Sequence, residues 1–552
     1  MKIKPKFLLI GILLVALILR FWHLGSIPPS LTPDEASLGY NAYSILKTGR
    51  DEHGKLMPII FKSFGDYKPG LYVYLTVPLI IFFKLNEVVV RAPSALAGIA
   101  AVYLIYLIVK KLFDEKLAIV SAFALAVNPW HIMFSRGAWE VNVSLTLTLA
   151  GIYFFLKSFE DNKNLIYAAI SFSLTVVCYQ GAKMSVLVVL MILVLVWVKE
   201  FNKIDLNKKI MSLGIGILIS IPIFLSIFHG EAGRLSVFSI FSYPRPTYDV
   251  EKFLAQNNEQ IGGIDYYLFH SEAYNFLLGV LGRWFNHFSG KFLLFEGDWQ
   301  NIRHSVPNQG VILLGDVVFL IIGLVVIFKK GFRKEICFVL LWLVLSPMPA
   351  ALSRDAVHGV RAYNLVIPLT IIISFGVVFF LEKRKWWSYL LVLGTYLMGL
   401  AFFLEAYFIH LPVHDSKYWD YGYKQIVETV LPLRNDFKTV RIQQSYAQPY
   451  IYFLFYGSRT SDPLFQPKNY QKEDHFVESE NKSDVGKIEH LGNLYFGPID
   501  WSINRGDMET LFVADKVRIP IEDSSDPDSF SLVKEIKYLN NETAFRIIRV
   551  KK

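Results

Sequence analysis

The stretch LTPDEASLGY, Leu31–Tyr40, sets two adjacent carboxylates, Asp34 and Glu35, shortly after an apolar run led by MKIKPK. Acids at that point make sense only once the side of the membrane they occupy is known. The fold therefore turns on charge placement around this stretch. Of the 552 residues, 53% are hydrophobic and 19% charged, and the apolar ones gather in runs near bilayer-crossing length. The net charge is +9, yet Lys and Arg fall in short clusters between these runs. That pattern excludes nucleic acid as the partner and points to membrane lipids. Cys178 and Cys337 lie far apart, which excludes a disulfide scaffold or thiolate metal site.

Membrane spans are read at 7–21, 90–109, 117–133, 141–157, 165–180, 183–198, 210–228, 310–328, 336–348, 362–381 and 386–406, about eleven in all. With the N-terminus in the cytoplasm, the inner connections are VKKLFDEK, KSFEDNKN, KEFNKIDLNKK, KKGFRKE and EKRK, each with two or more basic residues. The opposite orientation would export all of them. Residues 71–84, LYVYLTVPLIIFFK, are too short for a span and read as an interfacial or re-entrant helix. Residues 1–406 then form a transmembrane domain of an α-helical polytopic protein. Its outer face holds the first loop 22–89, the loop 229–309 and the turn 349–361. The tail 407–552 is too polar for lipid and alternates FKTVRI and YIYFLFY with turns, an extracytoplasmic α/β domain.

Chemistry is expected on the outer face. Asp34 and Glu35 fit the start of a helix, where acids favour the N-terminus. The same loop continues with Asp51, Glu52 and His53, then FGDYKPG with Asp66 and Lys68. Charges folded onto a membrane surface carry a desolvation cost, which favours a binding site. In NPWHIMFSRGAWE, Asn128–Glu140, Arg136 and Glu140 are four apart. They suit either a helical salt bridge or an anion ligand beside a second carboxylate. The turn SRDAVHGVRAY carries Arg354, His358 and Arg361 on the side where topology disfavours basic residues. In FEGDWQNIRHSVPNQG, Trp299 offers a ring to stack on a sugar, and Arg303, His304 and Gln309 offer polar contacts to sugar or phosphate. Glu296, Asp298 and His304 lack the tight spacing of a metal motif, so a divalent metal stays open.

The PDE element, DYKPGLYVY, RAPSAL and NPWHIMFSRGAWE together resemble the GT-C glycosyltransferases that use polyprenyl-phosphate sugars, including the protein O-mannosyltransferases and the lipid A aminoarabinose transferases. The resemblance covers roughly residues 1–406. It implies a GT-C-type fold and a polyprenyl-phosphate-linked sugar donor. It also implies transfer at the outer leaflet to an acceptor hydroxyl on a protein, lipid or glycan, with no cofactor required. It makes Asp34 the catalytic base, with Glu35 orienting the loop or acceptor. Lys68 lies near the donor phosphate, although this chain reads KPG where the family reads KPP. Glu140 stands where the aminoarabinose enzymes carry aspartate. A base on one face and a phosphate leaving from the other imply a single, inverting displacement. Lys68, Arg136, Arg354, His358 and Arg361 are candidates for the positive charge. A transporter is the main alternative, but it needs polar groups near mid-bilayer, and here the span interiors are apolar. A polysaccharide-binding scaffold is the other.

Overall fold

The computed structural model describes residues 4–64, 66–228, 239–256, 259–382, 386–444, 448–471, 476–477 and 487–551. The protein is predominantly helical, with strands concentrated in the tail. Among the described residues, five helices are long and apolar enough to cross a membrane: Glu87–Leu112, Leu206–Ser226, Lys334–Ala351, Tyr363–Glu382 and Trp386–Asp415. Glu115–Ala126 and Pro129–Ser135, bent by 59°, add a sixth if taken as one broken span. Asn128-Pro129 sits at the bend, where proline removes a helix donor. Four of the other expected runs are shorter helices, α1 (Pro5–Phe21), Asn164–Cys178, Ala182–Val196 and Asp316–Lys330, and the fifth is Glu140–Lys157, eighteen residues long. The segment expected to be interfacial is helical over Leu71–Phe83, thirteen residues.

The chain divides into two compact units. One comprises Leu17–Gly98, Phe134–Val143 and Leu404–Lys552; the other comprises Met1–Ala16, Ile99–Met133 and Ser144–Phe403. The tail thus shares a unit with the first outer loop. Its sheet has six strands, in the order His490–Leu491, Leu494–Gly497, Thr439–Gln443, Thr510–Asp515, Thr543–Val550, Phe530–Lys537. Thr439–Gln443 runs parallel to both neighbours, and Thr543–Val550 antiparallel to both of its own. FKTVRI supplies a strand, as alternation suggests. YIYFLFYG is instead a helix, Tyr450–Gly457, with every residue buried. A helix apolar on all sides has no solvent face, so it forms the core against which neighbours pack.

In the same unit, α2 (Pro33–Thr48) carries the acid pair, and β1 (Ile60–Ser63) pairs antiparallel with β2 (Asp66–Pro69). Thr32 caps α2: its hydroxyl accepts from the Glu35 N–H at 3.2 Å, and its own N–H donates to the Glu35 carboxylate at 3.0 Å. Gly49, at φ 70°, ends the helix in the left-handed region that glycine enters at no steric cost. Gly39 lets α2 approach closely; a Cβ there would lie 2.5 Å from the Phe455 ring and 2.7 Å from Val90. The Tyr452 hydroxyl donates to the Leu31 carbonyl at 3.0 Å, just before the acid pair. Glu87, opening α4 (Glu87–Leu112), accepts from Lys424 at 2.9 Å and Arg459 at 3.0 Å. The tail is thereby fastened to the loop that bears Asp34.

Candidate active site

Adjacent helical residues point about 100° apart, and this separates the two acids. The Glu35 side chain is 5% exposed and that of Asp34 57% exposed. Glu35 accepts from Arg91 Nε at 2.9 Å, Arg91 Nη2 at 3.1 Å, the Ala138 N–H at 2.9 Å and the Thr32 N–H. Arg91 is fully buried and also donates to the carbonyls of Leu24, Pro28 and Ser30. Glu35 is therefore saturated by donors and braces the loop from within. Sequence reading quoted the segment containing Arg91 but gave that residue no role. An arginine at the end of a span that the charge rule assigns to the outer face was the signal.

Asp34 faces outward and is paired with Lys68. A pair this exposed contributes at most about 1 kcal/mol to stability, so folding does not explain it. Lys68 is positioned by the β1–β2 hairpin, opposite Phe61. Gly70 follows, and a Cβ there would lie 2.2 Å from the buried Phe61 ring. Its N–H also donates to the Ile59 carbonyl at 2.9 Å. Proline would bring the clash and lose the bond, so this hairpin requires KPG. Asp34, Ser37, Asn41, Ser63 and Lys68 supply the polar lining of one small pocket. Asn41 donates to the Ser37 carbonyl at 3.0 Å and accepts from the Glu52 N–H at 2.9 Å, fixing the pocket floor. Ser37, Asn41 and Ser63 had no role in the sequence reading, because nothing in their spacing reports that α2 and β1 meet.

Glu140 opens its helix just outside the 141–157 run. Burial pushes its carboxyl up to about 7; Lys68 opposes the shift and the negative charge of Asp34 adds to it. For Lys68, burial works against the ammonium, but Asp34 and Glu140 outweigh it and hold the group above its ordinary value. Glu140 is thus neutral below pH 7 and charged above it. Once ionised it competes with Asp34 for Lys68 and adds negative charge beside it, which disfavours any anionic ligand of Lys68. We expect kcat/KM to fall as pH rises through about 7. Glu140→Gln should flatten that fall, and an inflection that survives in the variant would assign the titration to another group.

Arg136 and Glu140 do not share a helix face. The helix Pro129–Ser135 ends before it, and a separate helix starts at Glu140. Buried Arg136 donates to the carbonyls of Leu19 at 2.8 Å, Trp22 at 2.6 Å and Ile27 at 3.0 Å. Its guanidinium lies over the Phe408 ring, 4.8 Å from the centroid. Through these carbonyls it ties the end of α1 to the loop.

The other unit gathers the remaining candidates. Asp298, whose side chain is fully buried, organises them. Its carboxylate accepts from the Gly359 N–H at 2.6 Å, His304 Nδ1 at 3.0 Å and the Asn301 N–H at 3.1 Å. This joins the 298–305 loop to the basic turn. Arg361 pairs with Asp355 at 3.1 Å, and Arg354 donates to the Tyr243 hydroxyl at 3.0 Å. Burial, then the charge of Arg361, pushes His358 well below the ordinary histidine value. At neutral pH it is uncharged, so the cationic charge here rests on the arginines. Trp299 stacks beneath the Lys291 ammonium at 4.6 Å. Arg303 lies in the one-turn helix Ile302–His304 of the same loop.

Asp298, His304 and His358 offer ligand atoms within 4.8 Å of one another, the donor types of a zinc site. In their present arrangement they bond within the protein: His304 Nδ1 with the Asp298 carboxylate, and His358 Nδ1 accepting from the Arg361 N–H at 3.3 Å. The Asp298 bonds to His304 and Gly359 clamp the loop to the turn.

Residues 68–228 match the family model described as dolichyl-phosphate-mannose-protein mannosyltransferase. A curated relative, "Putative mannosyltransferase YycA" of Bacillus subtilis (strain 168), is 26% identical over 159 residues, 29% of this chain and 23% of that protein. The match therefore spans under a quarter of the relative's length. Among solved structures, ArnT from Cupriavidus metallidurans bound to undecaprenyl phosphate aligns with a TM-score of 0.57 at 11% identity, covering 98% of this chain and 97% of that one. The Archaeoglobus fulgidus oligosaccharyltransferase, in complex with Zn and sulfate, aligns with a TM-score of 0.50 at 13% identity, covering 84% and 61%. At these identities the structural likeness speaks for the fold.

Proposed function

We propose that this membrane protein, which has the fold of the GT-C glycosyltransferases, moves a hexose or pentose from a polyprenyl-phosphate carrier to an acceptor hydroxyl. The observation that carries this reading is the division of labour between neighbouring acids: Glu35 is consumed by the buried Arg91 clasp, while Asp34 stands exposed beside Lys68. A carboxylate within reach of an acceptor hydroxyl can take its proton as the sugar's anomeric carbon is attacked. The bond from that carbon to the phosphate oxygen breaks, and the leaving phosphate gathers negative charge. The three N–H donors of Lys68 can hold Asp34 and a phosphate oxygen together. Attack from one face and departure from the other inverts the anomeric centre in a single step. Within the other unit, Arg354 and Arg361 are proposed as an anion contact of their own, with His304, His358, Arg303 and Trp299 as polar and stacking contacts to sugar or phosphate. The match to undecaprenyl-phosphate-bound ArnT supports the lipid-linked donor.

The test is transfer from a purified polyprenyl-phosphate sugar in detergent, with donor binding measured alongside. Lys68→Ala strips a charge-assisted phosphate contact, so donor binding should weaken about 10-fold or more, together with the rate. Unchanged donor affinity in that variant would remove Lys68 from the phosphate site. Orientation is tested by cysteine labelling in intact cells. A cysteine at position 34 or 500 should label without permeabilisation, because the basic connections keep the N-terminus inside. Labelling that needs permeabilisation would reverse the topology and place the chemistry in the cytoplasm.

A further inference from the structure

We propose that the helix Glu272–Asn286 is a lipid-embedded strap: one face lies in the acyl region of the outer leaflet, and the other holds the basic turn Arg354–Arg361 at headgroup depth. The loop containing it, 229–309, reads in sequence as an outer loop rich in Tyr, Phe, His and Gly. Structurally, this fifteen-residue helix has no buried residue. Leu277, Leu278, Leu281 and Phe285 are 55%, 50%, 43% and 62% exposed. At offsets of 1, 4 and 8 from Leu277 they form one continuous helical stripe without a charge. Tyr267, Leu268 and Phe269, just before the helix, are also more than half exposed. Isolated apolar groups on a surface need no explanation, but a continuous stripe does.

The occupant follows from where the stripe lies. The Trp284 indole donates to the Val344 carbonyl at 2.7 Å. Val344 belongs to the span Lys334–Ala351, and it and Leu341 are 44% and 40% exposed on that span's outer surface. The stripe is therefore continuous with a surface that faces lipid. Flanking Tyr, Phe and Trp side chains suit the acyl–headgroup boundary. Glu272, the helix's acid, is set apart at its first residue and paired with Arg245 at 2.9 Å.

The opposite face carries the consequence. Arg283 donates to the Arg354 carbonyl at 3.2 Å, and Asn286 to the Ala356 carbonyl at 3.1 Å. His287 Nε2 accepts from the His358 N–H at 3.2 Å. The tautomer is fixed because His287 Nδ1 bonds the Arg283 carbonyl at 2.7 Å. The depth of the strap in lipid thus sets the depth of the arginines, whatever anion they bind.

The experiment uses the full chain with its two native cysteines replaced, nitroxide-labelled singly at Leu278→Cys or Phe285→Cys, in phosphatidylethanolamine–phosphatidylglycerol vesicles. Both positions are exposed, so either suffices if the other disturbs folding. Collision with oxygen should dominate collision with a water-soluble nickel chelate, while a label at Val517, 75% exposed in the tail, should show the reverse. Free access of nickel to both strap positions would overturn the proposal. So would spin–spin broadening that disappears on diluting protein into lipid, which marks a second copy as the occupant. A label shielded from both reagents would mark a protein contact and overturn it too.

Discussion

Asp34→Asn is expected to lower turnover about 100-fold or more while leaving donor affinity nearly unchanged. The substitution preserves volume and most hydrogen bonding. What it removes is the ability to accept a proton, which matters only as the acceptor hydroxyl attacks. Donor binding rests instead on Lys68 and persists. Transfer kinetics and donor titration on one preparation separate the two quantities. Near-normal turnover in Asp34→Asn with a dead but folded Glu35→Gln would exchange the roles. If both variants transfer normally, the base must be sought at Glu140 or Asp66.

Arg91→Met should be the most destabilising single change in the loop, by about 3–5 kcal/mol. The substitution keeps the chain length but leaves the Glu35 carboxylate buried and without its two guanidinium donors. It also frees the carbonyls of Leu24, Pro28 and Ser30. Since folded proteins retain only about 5–15 kcal/mol in total, a loss of this size is a large fraction of it. Thermal unfolding in detergent measures it directly. Arg91→Lys should recover part of the loss, because one ammonium cannot reproduce the bidentate fork. Stability equal to that of the unaltered protein would show that Glu35 is satisfied by Thr32 and Ala138 alone.

The two acids also show what the sequence can and cannot convey. Charge clusters and apolar runs are local, so the membrane-spanning class and the acid pair of the 22–89 segment could be read directly. The acid pair was equally legible as a helix start, whereas the cap that Thr32 forms with Glu35, three residues on, emerged only from the structure. The partner that fixes the role of Glu35 is Arg91, fifty-six residues on, and no periodicity reports such a meeting. The same holds for Asp298 and Gly359, sixty-one apart. YIYFLFYG was ambiguous for a different reason. A short run that is apolar throughout has no period with which to distinguish a buried strand from a buried helix. Arg136 and Glu140 show the converse failure: helical spacing was present, but the helix was broken between them.

The buried helix Tyr450–Gly457 limits how the tail can be studied. A chain ended at residue 406 would lose the Phe455 ring against Gly39, the Tyr452 bond to Leu31 and the Lys424 and Arg459 bonds to Glu87. The helix bearing Asp34 would lose the wall it packs against. Inactivity in such a truncated chain would therefore report a collapsed active-site loop and reveal nothing about acceptor choice. Any contribution of the tail beyond this support has to be probed by exchanging exposed residues on the sheet while the internal helix stays in place.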